Sequence, residues 1–342
     1  MIRIEDYDYQ LPVELIAQEA LKKRDECRLM VINKLRITNY ELRIKEIIFK
    51  KIADELGEGD VLVLNESRVF PARLLGKKES GGKVELLLLK KINETEWEAI
   101  CRPGLKIGQK LKFGSIGGEV VEKQDETVTV EFDYRGDFWK ILEKIGKTPI
   151  PPYIHNNKER ELRRDYQTVY AANYGSAAAP TAGLHFTDEL LEKLLKKGVQ
   201  IEKVNLNVGL GTFKPISEKN LETGKLHTEF LEIREEVAKR LNLAKKQGKR
   251  IIAVGTTAVR VLETMSDVEG KLRAGNEETS IFIFPPYKFK FVDSLITNFH
   301  LPKSSLLMLI AAMMGEDWRI AYELAVKNKY CFFSFGDAMW IR

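Results

Sequence analysis

Two of the chain's four histidines stand just where a helix is about to begin. His185 sits near the end of the segment AAAPTAGLHFT (177–187), and His300 follows the strand-like run SLITNF. Imidazole changes charge closer to neutral pH than any other side chain, so either residue can hold or pass a proton where it meets a ligand. On its own, His300 reads better as a structural hydrogen-bonding residue. The segment around His185 is nearly stripped of bulk. Small residues let main chain approach a neighbour closely, and that neighbour is either a packed element or a ligand. Thr181 and Gly183 lie on this thin stretch, which can press against a flat molecule, and Thr187 caps the helix DELLEKLLKKG.

A third turn offers anion binding. RIIAVGTTAVRVLE (250–263) reads as a buried strand, a Gly-Thr-Thr turn and a helix, placing Thr256 and Thr257 among the unpaired N–H groups of a helix start. Threonine there is also an ordinary cap. Arg260, in the first helical turn, works against the helix dipole and so calls for a further reason. NFHLPKSSLLMLIAAMMG repeats the arrangement: Asn298 and His300 at a strand end, then Ser304 or Ser305 capping an apolar helix. NVGLGTFKP (207–215) puts Asn207 and Gly209 in another glycine-punctuated turn, whose G-x-G lacks the third glycine of a dinucleotide fingerprint. Arg68 and Arg73, in LNESRVFPARL, suit forked hydrogen bonds to phosphate or carboxylate, or else a solvated barrel face.

These turns need a sheet to carry them. The spacing predicts a helix over residues 12–24, a strand at CRLMVI and a helix at KEIIFKKIADEL. From GDVLVLNESRVFPARLLGKK onward short β-rich runs follow at regular spacing, which means a small antiparallel barrel or sandwich. Tandem Pro151 and Pro152 then mark a connector. Beyond Asp165 strands alternate with amphipathic helices, ending in a strand near CFFSF, as in a sheet covered on both faces. The expected architecture is a discontinuous α/β domain, residues 1–60 and 151–342, with an inserted antiparallel β-barrel at 61–150. In such open sheets ligands gather outside the carboxyl ends of the strands, which would bring the turns to one crevice.

At 342 residues with 44% hydrophobic content, the chain has material for a substantial core. Its 55 Lys plus Arg against 50 Asp plus Glu leave a net charge of +5, so any nucleic-acid site must be local. Three scattered cysteines support neither a disulfide framework nor zinc. No metal site, membrane segment or export signal is read, and a cytoplasmic location is expected. There is no Walker A sequence, no G-x-S-x-G and no H-E-x-x-H.

The strings DYDYQLPVELIAQEALKKRDECRLMV, GDVLVLNESRVFPARL, YQTVYA, AAAPTAGLHFT, NVGLGTFKP, VGTTAVRVLE, VDSLITNFHLPKSSLLML and FFSFGDAMWI, in this order, resemble the S-adenosylmethionine:tRNA ribosyltransferase-isomerase family of queuosine biosynthesis. The resemblance runs nearly end to end. It implies transfer of the ribosyl group of S-adenosylmethionine onto 7-aminomethyl-7-deazaguanine at the tRNA wobble position, giving epoxyqueuosine with loss of adenine and methionine. It also implies the barrel-inserted fold, S-adenosylmethionine consumed as co-substrate, and no metal or redox cofactor. A monomer is expected. On this reading His185 and His300 are the acid and base candidates. Thr256, Thr257 and Arg260 hold an anionic group, and Arg68 and Arg73 face the same cleft or its tRNA rim. Thr181, Gly183, Asn207, Gly209 and Asn298 complete the substrate-binding candidates. Two positions depart from the family pattern: Asn207 stands where a histidine is usual, and Pro286 where a glycine is. A tRNA methyltransferase using S-adenosylmethionine and a noncatalytic tRNA-binding protein are the alternatives.

Overall fold

The structure is a computed structural model that describes residues 2–33, 43–124, 126–156, 158–209 and 216–342. Its first strands are β1 (Arg28–Asn33), β2 (Arg43–Ile48), β3 (Asp60–Asn65), β4 (Ser67–Val69), β5 (Arg73–Lys78), β6 (Lys83–Lys91), β7 (Glu96–Arg102), β8 (Lys110–Phe113), β9 (Ile116–Gln124) and β10 (Thr127–Asp133). Later strands are β11 (Asn173–Ser176), β12 (Gln200–Leu206), β13 (Lys225–Ile233), β14 (Arg250–Val254), β15 (Gly275–Ile281), β16 (Ser294–Asn298) and β17 (Ala338–Ile341). The α-helices are α1 (Ile52–Glu55), α2 (Phe138–Ile145), α3 (Glu159–Asp165), α4 (Asp188–Lys196), α5 (Glu218–Thr223), α6 (Glu235–Lys246), α7 (Thr256–Met265), α8 (Ser305–Met314) and α9 (Asp317–Lys327).

One sheet of nine strands, in the order β15-β13-β12-β3-β14-β16-β17-β1-β2, carries the large domain. Its centre, β12-β3-β14-β16, is parallel. The run Val61-Leu62-Val63-Leu64 in β3 explains why the centre needs cover on both sides. Val61 and Val63 enter one core, under α6, α7 and α8, while Leu62 and Leu64 enter another with Phe49 and the α4 leucines. Strands β5 to β10 close into an antiparallel barrel, which leaves no free edge. Its interior is built from alternating residues such as Val84, Leu86 and Leu88.

Parallel pairing puts the carboxyl ends of β12, β3, β14 and β16 on one edge. Strand β17 runs antiparallel to β16, with Asn298 opposite Ala338, so its amino end reaches the same edge. The chain before it, including Phe333 and Ser334, therefore joins the same rim.

Several expected elements are corrected. Residues 12–24 form no α-helix: only short 3₁₀ turns occur, at Val13–Leu15 and Arg24–Glu26. The segment is instead drawn against the far end of the chain, where the Ala17 N–H donates to the Phe332 carbonyl at 3.2 Å and Phe332 N–H to Leu15 at 2.8 Å. Tertiary pairing overrides helical spacing here. The helix expected at 45–56 shrinks to α1, because Ile47 and Ile48 pair with β1 in β2. β3, expected at the head of the barrel, lies mid-sheet with all six residues buried. CFFSF is a turn in which Phe333 takes φ +69°, and the last strand follows it. The strand expected at SIFIF lies earlier, in β15.

Candidate active site

A cavity of about 320 Å³ opens at the shared strand edge. Thr181, Thr256, Thr257, Arg260, Asn298 and His300 all line it, with Tyr153, Ser304, Ser305, Phe333 and Ser334 among its other walls. Helices α7 and α8 both begin there. α8 is capped by Ser304, whose hydroxyl accepts from the Leu307 N–H at 3.2 Å. α7 has no such side-chain cap: Gly255 takes φ +86° at its N-cap, a conformation that favours glycine, and the first-turn N–H groups are left for something else. The Thr257 hydroxyl, buried in the wall, has no hydrogen-bond partner. Lys303 and Phe333, both lining residues, hold left-handed backbone at φ +56° and +69° without being glycine. Strained backbone of this kind gathers where a site must be held in one shape.

His300 faces the cavity with its Nε2 3.0 Å from the Thr297 Oγ1. Its carbonyl accepts from the Tyr9 hydroxyl at 2.5 Å and its N–H donates to the Tyr322 oxygen at 3.1 Å, which pins the backbone. Burial pushes its imidazole pKa down to about 3, so the ring is neutral at neutral pH.

His185, expected to meet the ligand, does not line this cavity. It is buried behind Asn298, with Nε2 3.1 Å from the Asn298 Nδ2 and Nδ1 3.2 Å from the Cys27 Sγ, and its ring packs on Phe49. Burial first, and the nearby Arg24 charge second, push its pKa down to about 4. The Asn298 Nδ2 also donates to the Phe333 carbonyl at 3.0 Å. That carbonyl can only accept, so the amide orientation is fixed, and the Asn298 Oδ1 is left unpartnered in the cavity wall.

The thin segment is explained by packing as well as by the cavity. Ala177, Ala178, Ala179 and Ala182 each enter a different one of four hydrophobic clusters, so the stretch is a junction where larger side chains would collide. Gly183 is corrected from a ligand contact to a packing residue: a Cβ there would overlap the Tyr170 hydroxyl. Ala179, Pro180 and Thr181 still border the cavity.

The remaining candidates lie elsewhere. Arg73 spends both forks on Glu85 of the neighbouring barrel strand, at 2.8 and 3.0 Å. Arg68 lies over the Tyr174 ring, 4.4 Å from its centre, beside a separate small cleft. Neither lines the main cavity, so of the two expected placements, the cleft or its tRNA rim, the first is not met. Asn207 and Gly209 line a second and larger cavity of about 660 Å³ between barrel and sheet, while Leu210 to Pro215 lie outside the described residues. Arg260 does border the first cavity, but its guanidinium already has an anion: the carboxylate of Glu229, itself buried.

The sequence model of the family described as "Queuosine biosynthesis protein" matches residues 4–341. This chain belongs to that family. The S-adenosylmethionine:tRNA ribosyltransferase-isomerase of Acetivibrio thermocellus is 51% identical over 100% of both chains. That of Halothermothrix orenii is 49% identical over 99% of this chain and 100% of its own. A crystal structure of S-adenosylmethionine tRNA ribosyltransferase from Thermotoga maritima covers 98% of this chain and 100% of that one, at 37% identity and a TM-score of 0.55.

Within this queuosine-biosynthesis fold, sequence reasoning missed Glu229, Tyr9, Tyr153 and the 333–334 turn. Glu229 carried a signal: it shares the buried period-two face of β13 with Leu231 and Ile233, where a carboxylate demands a partner. The others carried none: Tyr153 and the 333–334 turn reach the cavity only through long-range packing, and Tyr9 touches it only through the His300 carbonyl. Among the described residues no helix is long and apolar enough to cross a membrane, and no trio of His, Cys, Asp or Glu is grouped to hold a metal ion.

Proposed function

We propose that this chain transfers and isomerises the ribosyl moiety of S-adenosylmethionine onto 7-aminomethyl-7-deazaguanine at the wobble position of tRNA, releasing adenine and methionine. The observation that carries the reading is the end-to-end likeness to relatives bearing the ribosyltransferase-isomerase name. The chain is thus an enzyme of the transferase class. S-adenosylmethionine occupies the cavity at the strand edge and is consumed there, with no metal or redox cofactor taking part.

The geometry supports this assignment. A cavity of about 320 Å³ is on the scale of a small-molecule site. The uncapped start of α7 suits the methionine carboxylate, and Tyr153 and Phe333, stacked at 4.6 Å, offer aromatic faces to an adenine or a sulfonium. The sulfonium acidifies hydrogens on its neighbouring carbon, and a neutral base can remove one. His300 borders the cavity, so its ring is the base candidate by position; positioned proton transfer of this kind contributes roughly 10²–10⁴-fold. His185 acts through Asn298, as a positioning residue.

Product identity tests the reading. Protein, S-adenosylmethionine and tRNA carrying the aminomethyl base, separated by chromatography, are expected to yield free adenine and methionine. S-adenosylhomocysteine would mean a methyltransferase, and unchanged S-adenosylmethionine a binding protein.

A further inference from the structure

With a net charge of only +5 over 342 residues, a nucleic-acid site on this chain has to be local. The cations nearest the first cavity are already spent, Arg260 on Glu229 and Lys303 on Asp8. On the barrel, Lys90 pairs with Glu278 of β15, Lys91 with Glu94 and Arg73 with Glu85.

The barrel end farther from the sheet is different. Lys77 of β5 stands directly opposite Lys83 of β6 on one side and Lys112 of β8 on the other. All three are exposed, because the alternate positions Leu74, Val84, Leu111 and Phe113 fill the barrel interior. A Cβ on Gly76 would overlap the Lys112 carbonyl and the Phe113 ring, so the glycine lets β8 cross close to β5 and sets Lys112 in the row. Lys110, two residues back along β8, and Arg102, opposite Glu85 on β7, extend the same basic face. Among the described residues none of these five cations is ion-paired. Of the carboxylates beside them, Glu85 belongs to Arg73, while Glu79 and Glu119 close on no lysine.

Like charges directly opposite one another destabilise a sheet, so the row works against the fold. Edge protection does not account for it, since the barrel is closed and has no free edge to guard. A polyanion laid across the row replaces that repulsion with attraction and releases its own counterions.

We propose that the row Lys83–Lys77–Lys112 is a docking surface for the phosphate backbone of the tRNA. Strand β6 relates it to the site: Lys83 begins the strand and Lys91, near its other end, lines the second cavity at the barrel–sheet junction, roughly 25 Å away along the strand. The row therefore meets RNA distant from the reacting base, where phosphate contacts supply affinity and orientation and leave the chemistry untouched. The placement rests on the reading that the substrate is a tRNA.

The variant Lys77→Gln/Lys83→Gln/Lys112→Gln tests it, by equilibrium binding of tRNA carrying the aminomethyl base over a range of salt concentrations. At low salt Kd is expected to rise about tenfold or more, and the slope of log Kd against log salt to become shallower by roughly two to three. Turnover at saturating tRNA and calorimetric affinity for S-adenosylmethionine are expected to stay within about twofold. The melting temperature is expected to hold or rise, because the repulsion is gone. Lys51→Gln/Lys246→Gln/Lys327→Gln removes the same charge from exposed positions of the large domain and is expected to bind tRNA as the unsubstituted protein does. Unchanged tRNA affinity in the row variant, or an equal loss in the large-domain variant, overturns the proposal. Retained tRNA affinity with lost binding to anionic phospholipid vesicles also overturns it, in favour of a membrane surface. The unsubstituted protein separates the two ideas: if it binds modified tRNA through the row but releases no adenine, the ribosyltransferase reading fails and the docking surface stands.

Discussion

His185 and Asn298 form a stack of control behind the cavity: the imidazole Nε2 lies 3.1 Å from the amide Nδ2, and the amide oxygen on the other side is left for the site. The histidine therefore acts at one remove. His185→Asn is expected to lower kcat while leaving the pH dependence of kcat/KM where it was, since the ring does not exchange a proton with substrate. Asn298→Ala removes the group that meets the ligand, and a lost hydrogen bond to a charged or polarised partner reduces kcat/KM roughly ten- to hundredfold. A pH profile that moves in His185→Asn would give the residue a proton-transfer role after all.

The two depressed histidines make stability depend on pH. In the folded chain burial holds His300 near about 3 and His185 near about 4, whereas an unfolded histidine titrates near ~6.5. Below ~6.5 the unfolded chain takes up two protons that the folded chain refuses, so stability is full above that pH and falls as acid is added. Each histidine contributes up to ~1.4 kcal/mol per pH unit, or roughly 4 kcal/mol for the pair between pH 7 and 5. Denaturant titrations at the two pH values are expected to show about half that loss in His185→Asn. Equal losses in both proteins would mean that His185 is hydrated and titrates normally.

The Arg260–Glu229 pair changes what a substitution at Arg260 can reveal. Both partners are buried, and removing one strands the other charge, which costs about 3–5 kcal/mol. Arg260→Ala alone is thus expected to melt early and to confuse stability with activity. Arg260→Met combined with Glu229→Gln removes both charges and is expected to recover most of that stability, measured by denaturant unfolding, while turnover stays low. Recovery of turnover in the double variant would show that the pair only holds the fold.

Much of the fold was legible in the sequence and the site only in part. Strands with continuous apolar runs, such as β3 and β14, and helices with clear caps, such as α4 and α8, appear where pattern and chemistry agree. Residues 12–24 misled because helical spacing also arises in a segment that pairs with Phe332, more than 300 positions away. The turns after β14 and β16 could be assigned to one edge because neighbouring parallel strands end on the same side. Side-chain direction was beyond reach: nothing local distinguishes His300, which faces the cavity, from His185, which faces Cys27 and Asn298. Arg73 likewise shows no local sign of its partner, because Glu85 lies across a strand pairing.

Glu263 illustrates a buried carboxylate that serves the fold, and it supplies a control for the others. It is fully buried on α7, three residues beyond Arg260, and accepts from the N–H groups of Lys290, Phe291 and Val292 at 2.9 to 3.0 Å and from the Tyr287 hydroxyl at 3.0 Å. It thereby pins the loop that leads into β16. Glu263→Ala would strand three backbone donors at ~1–3 kcal/mol each, so a loss of at least about 3 kcal/mol is expected on denaturant unfolding. Glu263→Gln keeps one acceptor and is expected to lose about half as much. Because Glu263 lies outside both cavities, kcat/KM of whatever fraction remains folded should change little. A variant that keeps its stability but loses turnover would move Glu263 into the site.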